Sequence, residues 1–241
     1  FAGQGMNSGL RDVHNLAWKL DEAMSMKHSD LLLNSYEEER KQHAHEMIKL
    51  AIKMGRIMMP RSKVYGFFVR NIFRLANCFP PTREFLIQMK YKPKPRFYNG
   101  MIWADDFASR KTIVGRMIPQ PEIECPRGVV TLLDEVLKDR PCVLIFSDRP
   151  DEQVSSYEVE EFKNRGASVV GLTPENIKPQ NAKFPIYRDK SQLLAKYPYK
   201  DYKDHIILVR RDKYVAAVTP LGSAESLFTP LESIRSLDGS N

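Results

Sequence analysis

The chain has 241 residues, 42% hydrophobic and 28% charged, with 37 Lys and Arg against 30 Asp and Glu for a formal charge of +7. That length predicts one or two domains with a sizeable core, and the bases are interleaved with acids, so the charge describes a generally basic surface rather than a nucleic-acid footprint. No run reaches the about 18 apolar residues of a transmembrane span, and no basic segment opens a secretory signal, so a cytoplasmic protein is expected, with no nucleic acid and no membrane as partner.

The opening stretch, Phe1-Ala2-Gly3-Gln4-Gly5-Met6-Asn7-Ser8-Gly9, places three glycines around Asn7. Leu10, Val13, Ala17, Leu20 and Met24 follow at helical spacing and predict an amphipathic helix. A glycine loop opening into a helix presents free N–H groups at a positive dipole end, where anions or polarised carbonyls bind. By residues alone, a tight turn before a core helix is the preferred reading. The spacing is not the dinucleotide G-x-G-x-x-G, and Asp21 falls on the helix, not at the end of a second strand.

Asp30 is a plausible N-cap for a helix to about Met59, which Pro60 stops. Within it, Tyr36-Glu37-Glu38-Glu39-Arg40 reads as a solvated face. Residues 63–77 read as a third helix, rich in Phe67, Phe68, Ile72 and Phe73, and 82–90 as a shorter one. A lipid surface could take such helices, with Arg70 and Arg74 at headgroups, but a buried bundle is preferred. Residues 91–121 are proline-punctuated: a connector packed through Phe97, Tyr98, Trp103 and Phe107.

From about residue 122 the pattern changes. A short helix at 132–137, a buried strand Cys142–Ser147, a helix at 155–165, a second strand at 168–172, a short helix around Leu193 and Leu194, a hairpin of 205–210 with 214–218 and a closing helix at 223–236 follow in turn. That order is thioredoxin-like. The fold class expected is α+β: a helical segment over 1–112, then a thioredoxin-like α/β domain over 113–241. The redox position reads Ser147-Asp148-Arg149-Pro150, without C-x-x-C, which excludes disulfide chemistry there. Cys78, Cys125 and Cys142 are odd in number and far apart, which suits a reducing compartment. His14, His28, His43, His45 and His205 form no metal-ligand cluster and read as solvated or locally bonded.

Gly3-Gln4-Gly5-Met6-Asn7-Ser8-Gly9-Leu10-Arg11-Asp12, with Asn15-Leu16-Ala17-Trp18-Lys19-Leu20, resembles a signature of single-component FAD-dependent aromatic hydroxylases, of the 3-(3-hydroxyphenyl)propionate hydroxylase and polyketide hydroxylase types. Leu33-Asn34-Ser35-Tyr36-Glu37-Glu38-Glu39-Arg40 and Val114-Gly115-Arg116 with Pro119-Gln120-Pro121 are similar to later stretches of the same family. The family's C-terminal domain is likewise a thioredoxin-like domain without its cysteines. The resemblance implies the C-terminal half of an FAD- and NADPH- or NADH-dependent monooxygenase that hydroxylates a phenolic ring through a flavin C4a-hydroperoxide. It implies that Ala2, Gly3, Gln4, Gly5, Met6 and Asn7 contact the cofactor, with the Met6 and Asn7 amides donating toward flavin N1 and O2. With no initiator Met, a fragment inactive alone is expected, whose expected partners are its missing N-terminal half, a small aromatic substrate and a second copy in a homodimer. No catalytic acid or base and no metal is assigned. The competing reading is a non-catalytic helical and thioredoxin-like interaction or dimerisation module.

Overall fold

The computed structural model describes residues 4–25, 30–87, 96–105, 112–174, 182–194, 196 and 198–234. They group into two compact units, Phe1–Val13 with Arg40–Pro95, and His14–Glu39 with Arg96–Asn241. The division expected at residue 112 falls inside the second unit.

The first unit is helical. It takes α1 (Gln4–Ser25) up to Val13 and α2 (Asp30–Met58) from Arg40. Then come α3 (Lys63–Asn77) and α4 (Pro80–Ile87). Ser62 caps α3, its Oγ accepting from the Tyr65 amide at 3.5 Å. The expected buried bundle is not what α3 forms among the described residues. Gly66 is its buried residue, while Val64, Phe67, Phe68, Ile72 and Leu75 are all exposed. Pairing an apolar face needs a partner surface, and for α3 the described residues do not supply one.

The second unit is built on a seven-stranded sheet: β1 (Glu122–Glu124), β2 (Val130–Leu132), β3 (Cys142–Phe146), β4 (Ser168–Thr173), β5 (Ile186–Asp189), β6 (His205–Val209) and β7 (Val215–Pro220), in the order β2-β1-β5-β4-β3-β6-β7. Strand β3 is parallel to β4 and antiparallel to β6, and β7 is antiparallel to β6. The remaining helices are α5 (Leu133–Leu137), α6 (Ser156–Asn164) and α7 (Phe228–Ile234). Helix α6 makes the crossover from β3 to β4, and its start carries a full capping box of Ser155 and Glu158. A βαβ crossover followed by an antiparallel hairpin and a helix is the thioredoxin-like arrangement, as expected. The hairpin β1–β2 and strand β5 widen it beyond the expected strands.

Alternation along the strands separates two cores. Val143, Ile145, Ile206 and Leu208 face a cluster with Val159, Phe162, Leu231 and Ile234. Leu144, Phe146, Ile207 and Val209 face a second cluster with Ile113, Leu133, Leu137 and Tyr202. Trp18 and Leu32 join the first cluster, so the second half of α1 and the start of α2 pack within this unit. The expected packing of the connector also holds over its described part. Phe97 is buried and stacked on Tyr214 at 4.1 Å, and the Trp103 amide donates to the Ala216 carbonyl at 2.8 Å. Tyr98 is exposed, and Phe107 lies outside the described residues. Leu193 and Leu194 are not helical; Leu194 lies in a turn, its amide donating to Asp189 Oδ2 at 2.9 Å. The closing helix divides into a 3-10 segment, Ala224–Leu227, and α7.

Candidate functional site

Helix α1 begins at Gln4, so Gly5, Met6, Asn7, Ser8 and Gly9 lie in its opening turns. Of the glycine loop expected over the first nine residues, positions 4–9 are helical, and Phe1, Ala2 and Gly3 lie outside the described residues. The reason is cooperative. Once the buried half of α1 is packed, extending it costs little even through two glycines. With Gln4 as its first residue, the amides of Gln4, Gly5 and Met6 have no acceptor within the helix, and that of Asn7 is the first its own ladder can take. No acidic side chain occupies the first turn, so the positive end of the dipole is not neutralised locally. Gly5, Met6 and Asn7 are all exposed. A Cβ placed on Gly5 meets nothing within 4 Å, and no left-handed φ requires glycine there.

The buried face of α1 differs from the sequence reading. Leu10, Val13, Leu20 and Met24 are 62%, 65%, 47% and 88% exposed. Ala17 is exposed as well. Asn15, Trp18 and Lys19 are buried instead. What holds them is polar. Lys19 Nζ donates to Ser35 Oγ at 2.7 Å and to Glu39 Oε2 at 2.9 Å. Asn15 Nδ2 bridges Glu39 Oε2 at 2.7 Å and Asp212 Oδ2 at 3.1 Å. Arg210 forks both carboxylates: Nη1 and Nη2 to Glu39 at 2.6 and 2.9 Å, Nε and Nη2 to Asp212 at 2.9 and 2.5 Å. The Met101 amide donates to Glu39 Oε1 at 3.0 Å. The Arg210 guanidinium also lies 5.1 Å from the Trp18 ring and 5.2 Å from that of Phe97.

Lys19, Glu39, Arg210 and Asp212 have side chains with 0% exposure and carry two charges of each sign. Burial pushes the Glu39 carboxyl upward, but Arg210 and then Lys19 outweigh it and hold it down to about 2. For Lys19 burial wins. Glu39 offsets it only partly, Arg210 repels it, and the ammonium falls to about 8. The asymmetry is physical: Glu39 faces two cations, whereas Lys19 shares its carboxylate with a stronger competitor.

Tyr36-Glu37-Glu38-Glu39-Arg40 is thus not a wholly solvated face. Glu37 and Glu38 are exposed, but Glu39 and Arg40 are buried. Arg40 Nε donates to Asp12 Oδ1 at 2.6 Å. Beside that pair, Arg11 Nη1 lies 3.3 Å from Nε2 of buried His43. Burial, then Arg40 and Arg11, lower the His43 pKa and favour the neutral ring. No local signal marks Glu39 as buried, because its main partner stands 171 residues away.

At the end of β3, where a thioredoxin would carry its dithiol, Ser147 Oγ donates to Asp204 Oδ1 at 2.8 Å and Lys203 pairs with Asp148 at 2.6 Å. Cys142 sits at the other end of the strand, fully buried, its thiol pushed up to about 12 by desolvation. Among the described residues, no three His, Cys, Asp or Glu side chains gather as metal ligands, and no helix is long and apolar enough to cross a membrane.

Comparison with known proteins agrees with the resemblance read from the sequence. The family described as FAD binding domain matches residues 1–51, and that described as HcaD C-terminal domain matches residues 115–233. The 3-(3-hydroxy-phenyl)propionate/3-hydroxycinnamic acid hydroxylase of Shigella sonnei is 28% identical over 98% of this chain and 43% of its own length. That of Klebsiella pneumoniae is 30% identical over 90% of this chain and 39% of its own length. The chain therefore spans less than half the length of the curated relatives it matches. Among solved structures, aklavinone-11 hydroxylase with FAD and aklavinone superposes with a TM-score of 0.63 at 16% identity, covering 98% of this chain and 41% of that one. The flavin-dependent monooxygenase PieE, solved with FAD and substrate, gives 0.62 at 17% identity, covering 96% and 44%. The chain is similar to the C-terminal part of FAD-dependent aromatic hydroxylases.

Proposed function

We propose that this chain supplies the flavin-facing helix and the thioredoxin-like domain of an FAD-dependent monooxygenase acting on a phenolic ring, reduced by NADPH or NADH, and that it is inactive without the rest of that polypeptide. The observation that carries this reading is the open start of α1. Its first-turn amides are unpaired within the helix, its dipole end is not neutralised, and Gly5 leaves room for a flat group, all within the stretch matched by the FAD binding family.

The residues present fit the cofactor. Met6 would donate its backbone N–H to the pyrimidine edge with Asn7 beside it on the same turn, Gly5 would let the ring approach, and Ala2, Gly3 and Gln4 would complete the wall beside it. FAD, when bound, supplies the oxygen chemistry. The chain's own contribution is orientation and a fixed positive potential of about half a charge at the helix end. The exposed stripe Leu10, Val13, Ala17, Leu20 and Met24 is the face that the remainder of the polypeptide would cover, excluding water from the ring.

The test uses the whole polypeptide for FAD affinity and the present chain for stability. Gly5→Val should abolish FAD retention while leaving the chain's melting temperature unchanged, since a side chain there meets no protein atom. Asn7 lies inside the helix rather than at its cap, so Asn7→Ala should retain FAD and change stability by no more than about 0.5 kcal/mol. Unchanged FAD affinity in Gly5→Val removes the flavin assignment.

A further inference from the structure

The geometry points to a role for the cysteine-free thioredoxin-like unit. We infer that it is a brace for the flavin helix, and that Glu39, Arg210 and Asp212 are positioning residues that fix the rotation of α1 about its own axis. This rests on the flavin reading of the helix start.

The turn between β6 and β7 carries both Arg210 and Asp212, and Asp212 is 1% exposed. Through Glu39 of α2 and directly through Asp212, that turn grips Asn15 and Lys19 of α1. Next to it, Arg211 pairs with Asp21 at 2.7 Å and Glu22 at 3.0 Å on the following turn of the same helix. Helix α1 is uninterrupted from Gln4 to Ser25, so its rotation at Asn15 and Lys19 sets the directions of the Met6 and Asn7 amides. A slip of one residue would turn the helix by about 100° and break the Asn15 and Lys19 bonds together. Apolar contacts tolerate such a slip far better than a bidentate fork does. Buried ion pairs contribute little net stability compared with apolar replacements, but they distinguish one register from its neighbours.

The experiment compares the whole polypeptide as wild type, Glu39→Gln, Asn15→Ala, the pair Lys19→Met with Glu39→Gln, and the surface control Glu232→Gln, whose carboxylate pairs with Arg165. FAD affinity and the flavin absorption band shape are read well below each melting temperature. Glu39→Gln should weaken FAD at least tenfold and alter the bands, and Asn15→Ala should do so to a smaller extent. The paired variant, which restores charge balance but lacks both the Lys19 grip and the carboxylate fork, should regain stability yet still bind FAD at least tenfold more weakly than wild type, and Glu232→Gln should match wild type. If Glu39→Gln does not fold, Asn15→Ala, which leaves no buried charge unpaired, carries the comparison. Folded Glu39→Gln or Asn15→Ala with wild-type affinity and bands overturns the brace alone. A folded wild type that binds no FAD overturns the flavin reading, and the brace with it.

Discussion

Replacing Gly115 by Ala should destabilise this chain by about 3–4 kcal/mol. Gly115 has φ +75°, and a Cβ there would stand 2.0 Å from the Phe97 carbonyl oxygen. The left-handed backbone alone costs an L-residue about 1–2 kcal/mol. Relieving the clash must move Phe97, whose amide donates to the Gly115 carbonyl at 2.8 Å, a bond worth about 1 kcal/mol. The same shift disturbs the stacked pair of Phe97 and Tyr214, worth about 0.5–1.5 kcal/mol. At roughly 2–4 °C per kcal/mol for a unit of this size, the melting temperature should fall by roughly 6–16 °C. Gly222→Ala is the control. Gly222 has φ +87° with nothing within 4 Å, so only the backbone cost applies. Thermal unfolding followed by circular dichroism decides the matter. If the two variants melt within about 2 °C of each other, the close approach of connector and backbone has no energetic consequence and the reasoning fails.

Acid should act through Glu39. Its folded pKa is depressed to about 2, so its contribution is complete above the ordinary carboxylate range and is lost as pH falls through that value. The stability gap between wild type and Glu39→Gln should hold from pH 7 to about 5 and close between about 4.5 and 2; a gap independent of pH would contradict the pairing. A thiol reagent should label exposed Cys78 in the folded chain and leave Cys142 untouched until unfolding. Cys142→Ser should leave turnover of the whole polypeptide within a few-fold, and a loss above about tenfold, 1.4 kcal/mol, with FAD content intact, would show that the thioredoxin-like domain has a redox task after all.

The long or strongly punctuated elements were legible in the sequence. Helix α3 has the expected bounds, α2 starts at Asp30, and β3, β4 and the β6–β7 hairpin stand where their apolar runs are. The short strands escaped notice, because β1 and β2 have three residues each and β5 reads Ile-Tyr-Arg-Asp, too brief for a period to show. The start of the candidate site was legible as a family signature, though Gly5 and Gly9 read as a loop and fold as helix. The face of α1 was read the wrong way round for a definite reason. Periodicity ranks residues by apolarity, and here a charge-balanced network buries Lys19 and Asn15 while Leu10 and Val13 stay outside. The partners that make a buried Lys or Glu tolerable are tertiary, and a local window cannot contain them.

The network also sets a timetable for synthesis. Glu39 and Arg210 are separated by 171 residues, and Asn15 and Asp212 by 197. At about 5–20 residues per second, α1 and α2 leave the ribosome roughly 10–40 s before the turn that neutralises them. During that interval Lys19 and Glu39 are the only two of the four buried charges present, and the second unit has one of its two stretches without the other. Until the last strands of the sheet emerge, the two helices hold one half of a charge-balanced set whose other half has yet to be made.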